Sequence, residues 1–257
     1  MKTALVKKLR KIINWLFPED AVCIGCGKDL FVENKRYCLC DDCQKLITPI
    51  TTRCLKCGRP TEYGEYCSTC TKEKIYFERN YSCFAYDGLI RKIITAYKFN
   101  NKRYYAKYLA SFYVDKIIEE NIGVDVLTAV PMTKSHQRER GYNQCDFIAN
   151  EISERLSIPY VKEIYKKSDR TRQLGKSYSE RKKNAENAYY TKSNVYEGLR
   201  VLVIDDIYTT GSTMNSMAKT LIKSGAKSVI GLTLCAVKAR KSKEEEGSSL
   251  NDILLDS

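Results

Sequence analysis

The chain has 257 residues, 43% of them apolar, and a formal charge of +13 from 44 Lys and Arg against 31 Asp and Glu. That is enough apolar material for one large core or two smaller ones, and the basic balance points to anionic partners: nucleic acid, phosphorylated metabolites or a membrane surface. No apolar run approaches the ~18 residues of a membrane span, and the opening stretch lacks an apolar core of signal-peptide length, so stable membrane insertion is not expected and a cytoplasmic location is.

Residues 1–20 read as an N-terminal amphipathic helix: Leu5, Leu9, Ile12, Ile13 and Leu16 share one face, Lys7, Lys8, Arg10 and Lys11 are interspersed, and Pro18 marks the end. Residues 21–75 are dominated by cysteine. Of twelve cysteines in the chain, nine fall within 23–70, and a reducing compartment disfavours disulfides as their purpose. Eight form Cys-x-x-Cys pairs: Cys23 with Cys26, Cys40 with Cys43, Cys54 with Cys57, and Cys67 with Cys70. Two intervening residues let a tight knuckle aim both sulfurs at one ion, and two knuckles complete a tetrahedral Zn(Cys)4 site. Two structural zinc ions are expected, with every ligand position filled by protein. Sequential pairing is simplest, a cross-brace is the alternative, and Cys38 is a ninth candidate able to replace Cys40. Each Zn(Cys)4 site adds two net negative charges, so two sites lower +13 to +9. Residues 1–75, with 14 basic and 9 acidic residues, then come to about +1, which assigns the positive excess to the remainder of the chain. Cys83, Cys145 and Cys235 stand alone and read as ordinary buried thiols.

Residues 76–238 alternate apolar strands with amphipathic helices, the texture of an α/β sheet. "NYSCFAYD" (80–87) reads as a strand and 89–120 as helical, with a break at "KFNNKRYY". "DVLTAVP" (125–131) is a buried strand ended by proline, and "GYNQCDFIANEISERL" a helix with Cys145, Ile148, Ala149, Ile152 and Leu156 at helical spacing. "LRVLVID" (199–205) is the central strand. Met214, Met217, Ala218, Leu221 and Ile222 mark one face of the helix that follows, Gly225 ends it, and "SVIGLTLCAV" is the last strand. The tail, 239–257, is polar and charged and expected to be mobile.

The chemistry concentrates in "VLVIDDIYTTGST" (201–213), where an apolar strand ends on two carboxylates and a hydroxyl-rich loop leads into a helix. In open α/β sheets this order places the functional groups at the carboxyl edge, where ligands bind. Backbone N–H groups of Thr209–Thr213 at a helix start form an anion cradle that fits a phosphate. Asp205 and Asp206 would repel a phosphate and so serve another part of the ligand, through sugar hydroxyls or a hydrated Mg²⁺. A phosphorylated ribose satisfies both. A Walker A loop is excluded because Gly-Lys-[Ser/Thr] is absent. A receiver domain is excluded because only 51 residues follow Asp206.

This stretch resembles the phosphoribosyl-pyrophosphate (PRPP) motif of type I phosphoribosyltransferases. The resemblance implies that Asp205 and Asp206 contact the ribose hydroxyls, that Thr209, Thr210, Gly211, Ser212 and Thr213 hold the 5′-phosphate, that magnesium accompanies PRPP, and that Pro131, Met132, Thr133 and Lys134 form the pyrophosphate loop. The fuller resemblance, over nearly the whole chain, is to the ComF family of competence proteins, through the paired cysteines, "AYKFNNKRYYAKYLA" (96–110), "VPMTKSHQRERGYNQ" (130–144) and "DRTRQLGKSYSERKKN" (169–184). It implies a type I phosphoribosyltransferase-like parallel sheet with helices on both faces, preceded by a small N-terminal double zinc ribbon in which four cysteines hold each ion. It also implies a role in natural transformation, with single-stranded DNA and a helicase-like competence ATPase as partners.

Whether such a chain catalyses transfer is a separate question. Lys134 and the basic stretch 162–183, with nine basic and three acidic residues, suit a leaving pyrophosphate, but no acceptor site is evident. His136, the only histidine, sits in a polar basic loop and reads as solvated or phosphate-facing rather than catalytic. The alternatives are an active phosphoribosyltransferase acting on an unknown acceptor and a PRPP-sensing regulator. Between Gly88 and Val114 there are six basic residues, no acid and seven aromatics, a composition suited to single-stranded DNA. The candidate DNA contacts are Lys98, Lys102, Arg103, Arg138 and Arg140.

Overall fold

The computed structural model describes residues 22–30, 36–62, 64–167 and 188–239; the expected helix over 1–20, most of the basic stretch 162–183 and all but the first residue of the 239–257 tail lie outside them. Among the described residues, four strands form a parallel sheet in the order β1 (Arg79–Ala85), β6 (Ser228–Ala236), β5 (Arg200–Tyr208), β2 (Val126–Ala129). Helices α3 (Gly88–Phe99), α4 (Tyr105–Glu119) and α6 (Gln144–Leu156) cover one face, and α7 (Ser212–Lys223) covers the other.

The apolar run of β5 follows from this layering. Leu202 and Ile204 join the core under α3, α4 and α6, while Val201 and Val203 join the core under α7. Alternate side chains of a strand face opposite sides, so a strand covered on both faces has no polar alternation. On α7, Met214, Met217, Ala218 and Leu221 are buried as their spacing predicts, but Ile222 is 37% exposed and lies off that face. Helix α6 starts at Asn143, whose side chain accepts from the Cys145 N–H as an N-cap.

Two departures from the sequence expectations matter. Strand β5 does not end at Asp205 but continues through Asp206 to Tyr208, with Asp205 opposite Thr233 and Tyr208 opposite Ala236. The cause is β6, which continues as a partner to Ala236. A second, antiparallel pair, β3 (Ile164–Lys166) with β4 (Tyr189–Thr191), has no counterpart in the sequence reading, because three-residue strands carry too little periodicity to register.

The cysteine-rich segment contributes two near-identical knuckles. Gly27 N–H donates to the Cys23 carbonyl (2.8 Å) and Gly58 N–H to the Cys54 carbonyl (3.0 Å), and each knuckle is followed by a short helix, α1 (Asp41–Lys45) or α2 (Ser68–Lys72). They pack against the rest of the chain. Cys23, Cys38 and Cys43 belong to the core under α3 and α4, whereas Cys54, Cys57 and Cys67 belong to the core under α7. The segment therefore straddles the sheet at its β1 edge. Arg36 and Tyr37 bind Asp115 of α4, and Arg53 pairs with Glu120 at 2.7 Å. At the second knuckle, the Asn80 amide donates to the Cys57 carbonyl at 2.9 Å. Gly58 (φ +70°) sits so close that a Cβ would come within 2.5 Å of the Asn80 carbonyl oxygen.

Candidate functional site

Strands β2 and β5 are neighbours, and their carboxyl ends bring the expected ligand groups to one edge. Val130 N–H donates to the Ile204 carbonyl at 3.0 Å, carrying the segment that leaves β2 alongside the start of the acidic pair. In that segment Pro131 and Met132 are half-buried, and buried Thr133 caps α5 (Lys134–Arg140) by accepting from the His136 N–H at 3.4 Å. Lys134 and His136 are exposed in the first turn of α5.

The other side of the edge is the loop between β5 and α7. Gly211, at φ +83° and ψ 0°, occupies the left-handed region and serves as the N-cap of α7. A Cβ at Gly211 would overlap the Tyr208 hydroxyl and come within 2.5 Å of its ring. Only glycine meets both demands. Thr209, Thr210 and Ser212 are exposed, and Thr210 Oγ1 accepts from the Ser212 N–H at 3.3 Å. Exposed hydroxyls and backbone amides at the start of a 12-residue helix are donors of the kind that suit an anion.

Asp205 and Asp206 have companions that sequence reasoning missed. Lys98 Nζ lies 2.9 Å from Asp206 Oδ2, with both side chains largely shielded at 19% and 16% exposure. Lys98, a DNA candidate in the sequence, is thereby placed inside the acidic site rather than on the surface with Lys102 and Arg103. Its position in the last turn of α3 aims it at the sheet edge, and "AYKFNN" holds no local sign of that. Attraction to Asp206 and Asp205 outweighs burial and raises the Lys98 pKa, so the cation is retained. Asp205 Oδ1 accepts from the Asp206 N–H at 2.9 Å and from the Cys145 thiol at 3.7 Å, and Tyr113 Oη donates to the Asp205 carbonyl at 2.8 Å. Cys145, an ordinary thiol by its sequence context, thus touches the acidic pair.

Burial and the neighbouring Asp206 charge push the Asp205 carboxyl up to about 7, against the opposing pull of Lys98 and the two hydrogen bonds. An unfolded aspartate titrates near 3.9, so between roughly pH 4 and 7 the folded state holds a proton that the unfolded state has released. The stability contributed by this group is complete below about pH 4 and lost as pH rises through about 7. Asp205→Asn should therefore melt increasingly above the wild type as pH rises over that window, with a constant gap beyond it. A gap that ignores pH would show that Asp205 ionises normally.

The cysteines assemble as two groups, Cys23, Cys26, Cys40, Cys43 and Cys54, Cys57, Cys67, Cys70, with the sulfurs of each within 4.8 Å of one another. Cys26 and Cys40 sulfurs are 3.8 Å apart and Cys57 and Cys67 sulfurs 3.7 Å. A tetrahedron with metal–sulfur bonds of about 2.3 Å has edges of about 3.8 Å, so both groups fit a zinc ion that would tie two knuckles together. Cys38 is outside both groups: it is fully buried and its thiol donates to the Val22 carbonyl at 3.2 Å.

Beside the acidic site lies an aromatic and basic surface. Phe99 is 61% exposed, with the Arg140 guanidinium 4.9 Å from its ring centre. Arg103 lies over Tyr142 at 4.8 Å, and that buried ring meets exposed Phe147 edge-on at 5.5 Å, so Phe147 and not Tyr142 faces solvent. Lys102 lies over Tyr104 at 5.8 Å, and Arg138 is exposed on α5. In contrast, Tyr97, Tyr105, Tyr108 and Tyr113 are core residues, which removes them from any nucleic-acid surface.

Two stretches of the chain match known family models. Residues 12–71 match the double zinc ribbon domain and residues 143–252 the phosphoribosyl transferase domain. The chain is 29% identical over 225 residues to "Competence protein F" of Haemophilus influenzae, covering 80% of this chain and 93% of that protein. It is 26% identical over 212 residues to "Competence protein ComFC" of Bacillus subtilis, covering 76% and 83%. It is also 26% identical over 204 residues to "DNA utilization protein YhgH" of Escherichia coli, covering 77% and 89%.

Proposed function

The chain belongs to the ComF family, which joins a double zinc ribbon to a phosphoribosyltransferase domain, and from that premise we propose that it acts in natural transformation, binding Mg²⁺–PRPP at the sheet edge and single-stranded DNA on the adjoining surface. One observation carries the reading: the segment leaving β2 is tied by the Val130 N–H to the Ile204 carbonyl, next to Asp205, and runs into α5, whose Arg140 lies over exposed Phe99. In the PRPP complex Asp205 and Asp206 accept from the ribose hydroxyls, the 209–213 amides hold the 5′-phosphate, and Lys134 with the 131–133 backbone faces the pyrophosphate. Magnesium, when bound, neutralises that pyrophosphate. The names of the relatives, competence and DNA utilization, support the DNA half. The same proposal places the protein in the cytoplasm, beside a helicase-like competence ATPase.

The DNA half is tested by fluorescence anisotropy with a labelled single-stranded oligonucleotide over a salt series. Arg103→Ala with Arg140→Ala should weaken binding and flatten the log–log salt slope by about 1.4, because each phosphate contact on a single strand contributes about 0.7. Phe99→Ala should weaken binding by roughly 5-fold to 100-fold with the slope unchanged, as expected of a stacking residue. Wild-type affinity and slope in both variants would place DNA elsewhere.

A further inference from the structure

The second cysteine group and the phosphate loop are joined by a buried arginine. Arg59 follows Cys57 by two residues, is only 5% exposed, and closes its own knuckle by accepting from the Cys54 N–H at 2.8 Å. Its guanidinium reaches in two directions. One terminal nitrogen donates to the Thr209 carbonyl at 3.2 Å; the other donates to Thr69 Oγ1 at 3.0 Å and to the Cys67 sulfur at 3.5 Å. The plane lies 5.9 Å from the ring centre of Tyr208, the residue whose hydroxyl forces glycine at position 211. Arg59 Nε has no partner among the described residues, a cost of burial that the arrangement sustains.

A buried cation needs a compensating anion, and a Zn(Cys)4 group with two net negative charges beside Cys67 supplies one. A second link runs in parallel: the Asn215 side chain, in the first turn of α7, accepts from the Tyr76 N–H at 2.7 Å and donates to the Lys74 carbonyl at 2.9 Å. The start of α7 is therefore held to the 67–76 segment at two points, and only the Arg59 link touches the metal-ligating sulfur.

We propose that Arg59 is a positioning residue through which metal at Cys54, Cys57, Cys67 and Cys70 holds the 209–213 loop in its anion-binding form, so that the second zinc site serves the phosphate site rather than the fold alone. This rests on the assignment of 209–213 to the PRPP phosphate. The first site, packed on the opposite face, has no such link to the loop among the described residues.

The test combines zinc stoichiometry, hydrogen exchange and Mg²⁺–PRPP calorimetry on the full chain. Arg59→Met should keep two zinc ions, exchange the Ser212 and Asn215 amides, which donate to Thr210 Oγ1 and to the Gly211 carbonyl of the loop, at least about tenfold faster while Val201–Ile204 stay protected, and bind PRPP roughly tenfold more weakly. Arg59→Lys should restore little, since one ammonium cannot span the Thr209 carbonyl and the Cys67 sulfur. Unchanged loop exchange in Arg59→Met with zinc intact overturns the proposal. Should Arg59→Met fail to fold, Cys70→Ser and Cys26→Ser replace it: faster loop exchange in the former alone supports the link, and equal effects overturn it. Exchange is read without ligand, so a chain that shows the coupling yet binds no PRPP refutes the ligand assignment and leaves the coupling standing.

Discussion

Replacing Asp205 and Asp206 together by Asn should abolish Mg²⁺–PRPP binding in a calorimetric titration that shows saturable heat with the wild type. Hydrogen bonds to a charged acceptor contribute about 1.5–3 kcal/mol each, so losing two carboxylates costs on the order of 3–6 kcal/mol, or about two to four decades in affinity. The single variants separate binding from folding by sign. Asp205→Asn removes a carboxylate that burial and its neighbour disfavour, so at neutral pH it should raise the melting temperature. Asp206→Asn instead strands Lys98, which faces that carboxylate at 2.9 Å with little exposure, and should lower it. Both should bind PRPP more weakly. Undiminished heat in the double variant would mean that the ribose hydroxyls lie elsewhere.

Gly211→Ala should be nearly as damaging to PRPP binding while sparing the fold. A non-glycine residue at φ +83° costs about 1–2 kcal/mol, and the added Cβ collides with Tyr208, which is only 4% exposed and cannot move aside. The backbone must rotate, and the amides of the phosphate cradle rotate with it. A loss of at least about 100-fold in affinity is expected, since misplacing even two donors to a charged acceptor costs that much. Tyr208→Phe in the same chain removes the hydroxyl but leaves the ring 2.5 Å from the Cβ, so it should recover only part of the loss. Full recovery would show that the ring yields; no effect of Gly211→Ala at all would show that the loop binds no anion.

The two predictions draw on information that the chain discloses unequally. The cysteine knuckles, the apolar run of β5, the acidic pair and the Thr-Thr-Gly-Ser-Thr loop are legible by eye, because each is a local pattern: two residues between sulfurs, unbroken apolar positions in a doubly covered strand, small hydroxyls before a helix. The alternation of apolar strands with amphipathic helices points to an α/β sheet, and the family resemblance implies its parallel order with helices on both faces. Sequential grouping of the cysteines was the simpler of two options in the sequence, and the structure groups them that way.

What tertiary structure alone decided is which distant residues complete the site. Lys98 meets Asp206, and Cys145 meets Asp205 across 60 positions, because α3 and α6 pack on the face of β5 that carries Leu202 and Ile204. Arg59 reaches the Thr209 carbonyl across 150 positions because the knuckle that carries it wraps the β1 edge toward α7. Strand β5 extends through its acidic pair to Tyr208 because β6 is long enough to pair with it. Local spacing encodes what a segment can bind; strand order and the packing of helices on each face decide which charges meet, and those depend on burial summed over the whole core rather than on any short run of residues.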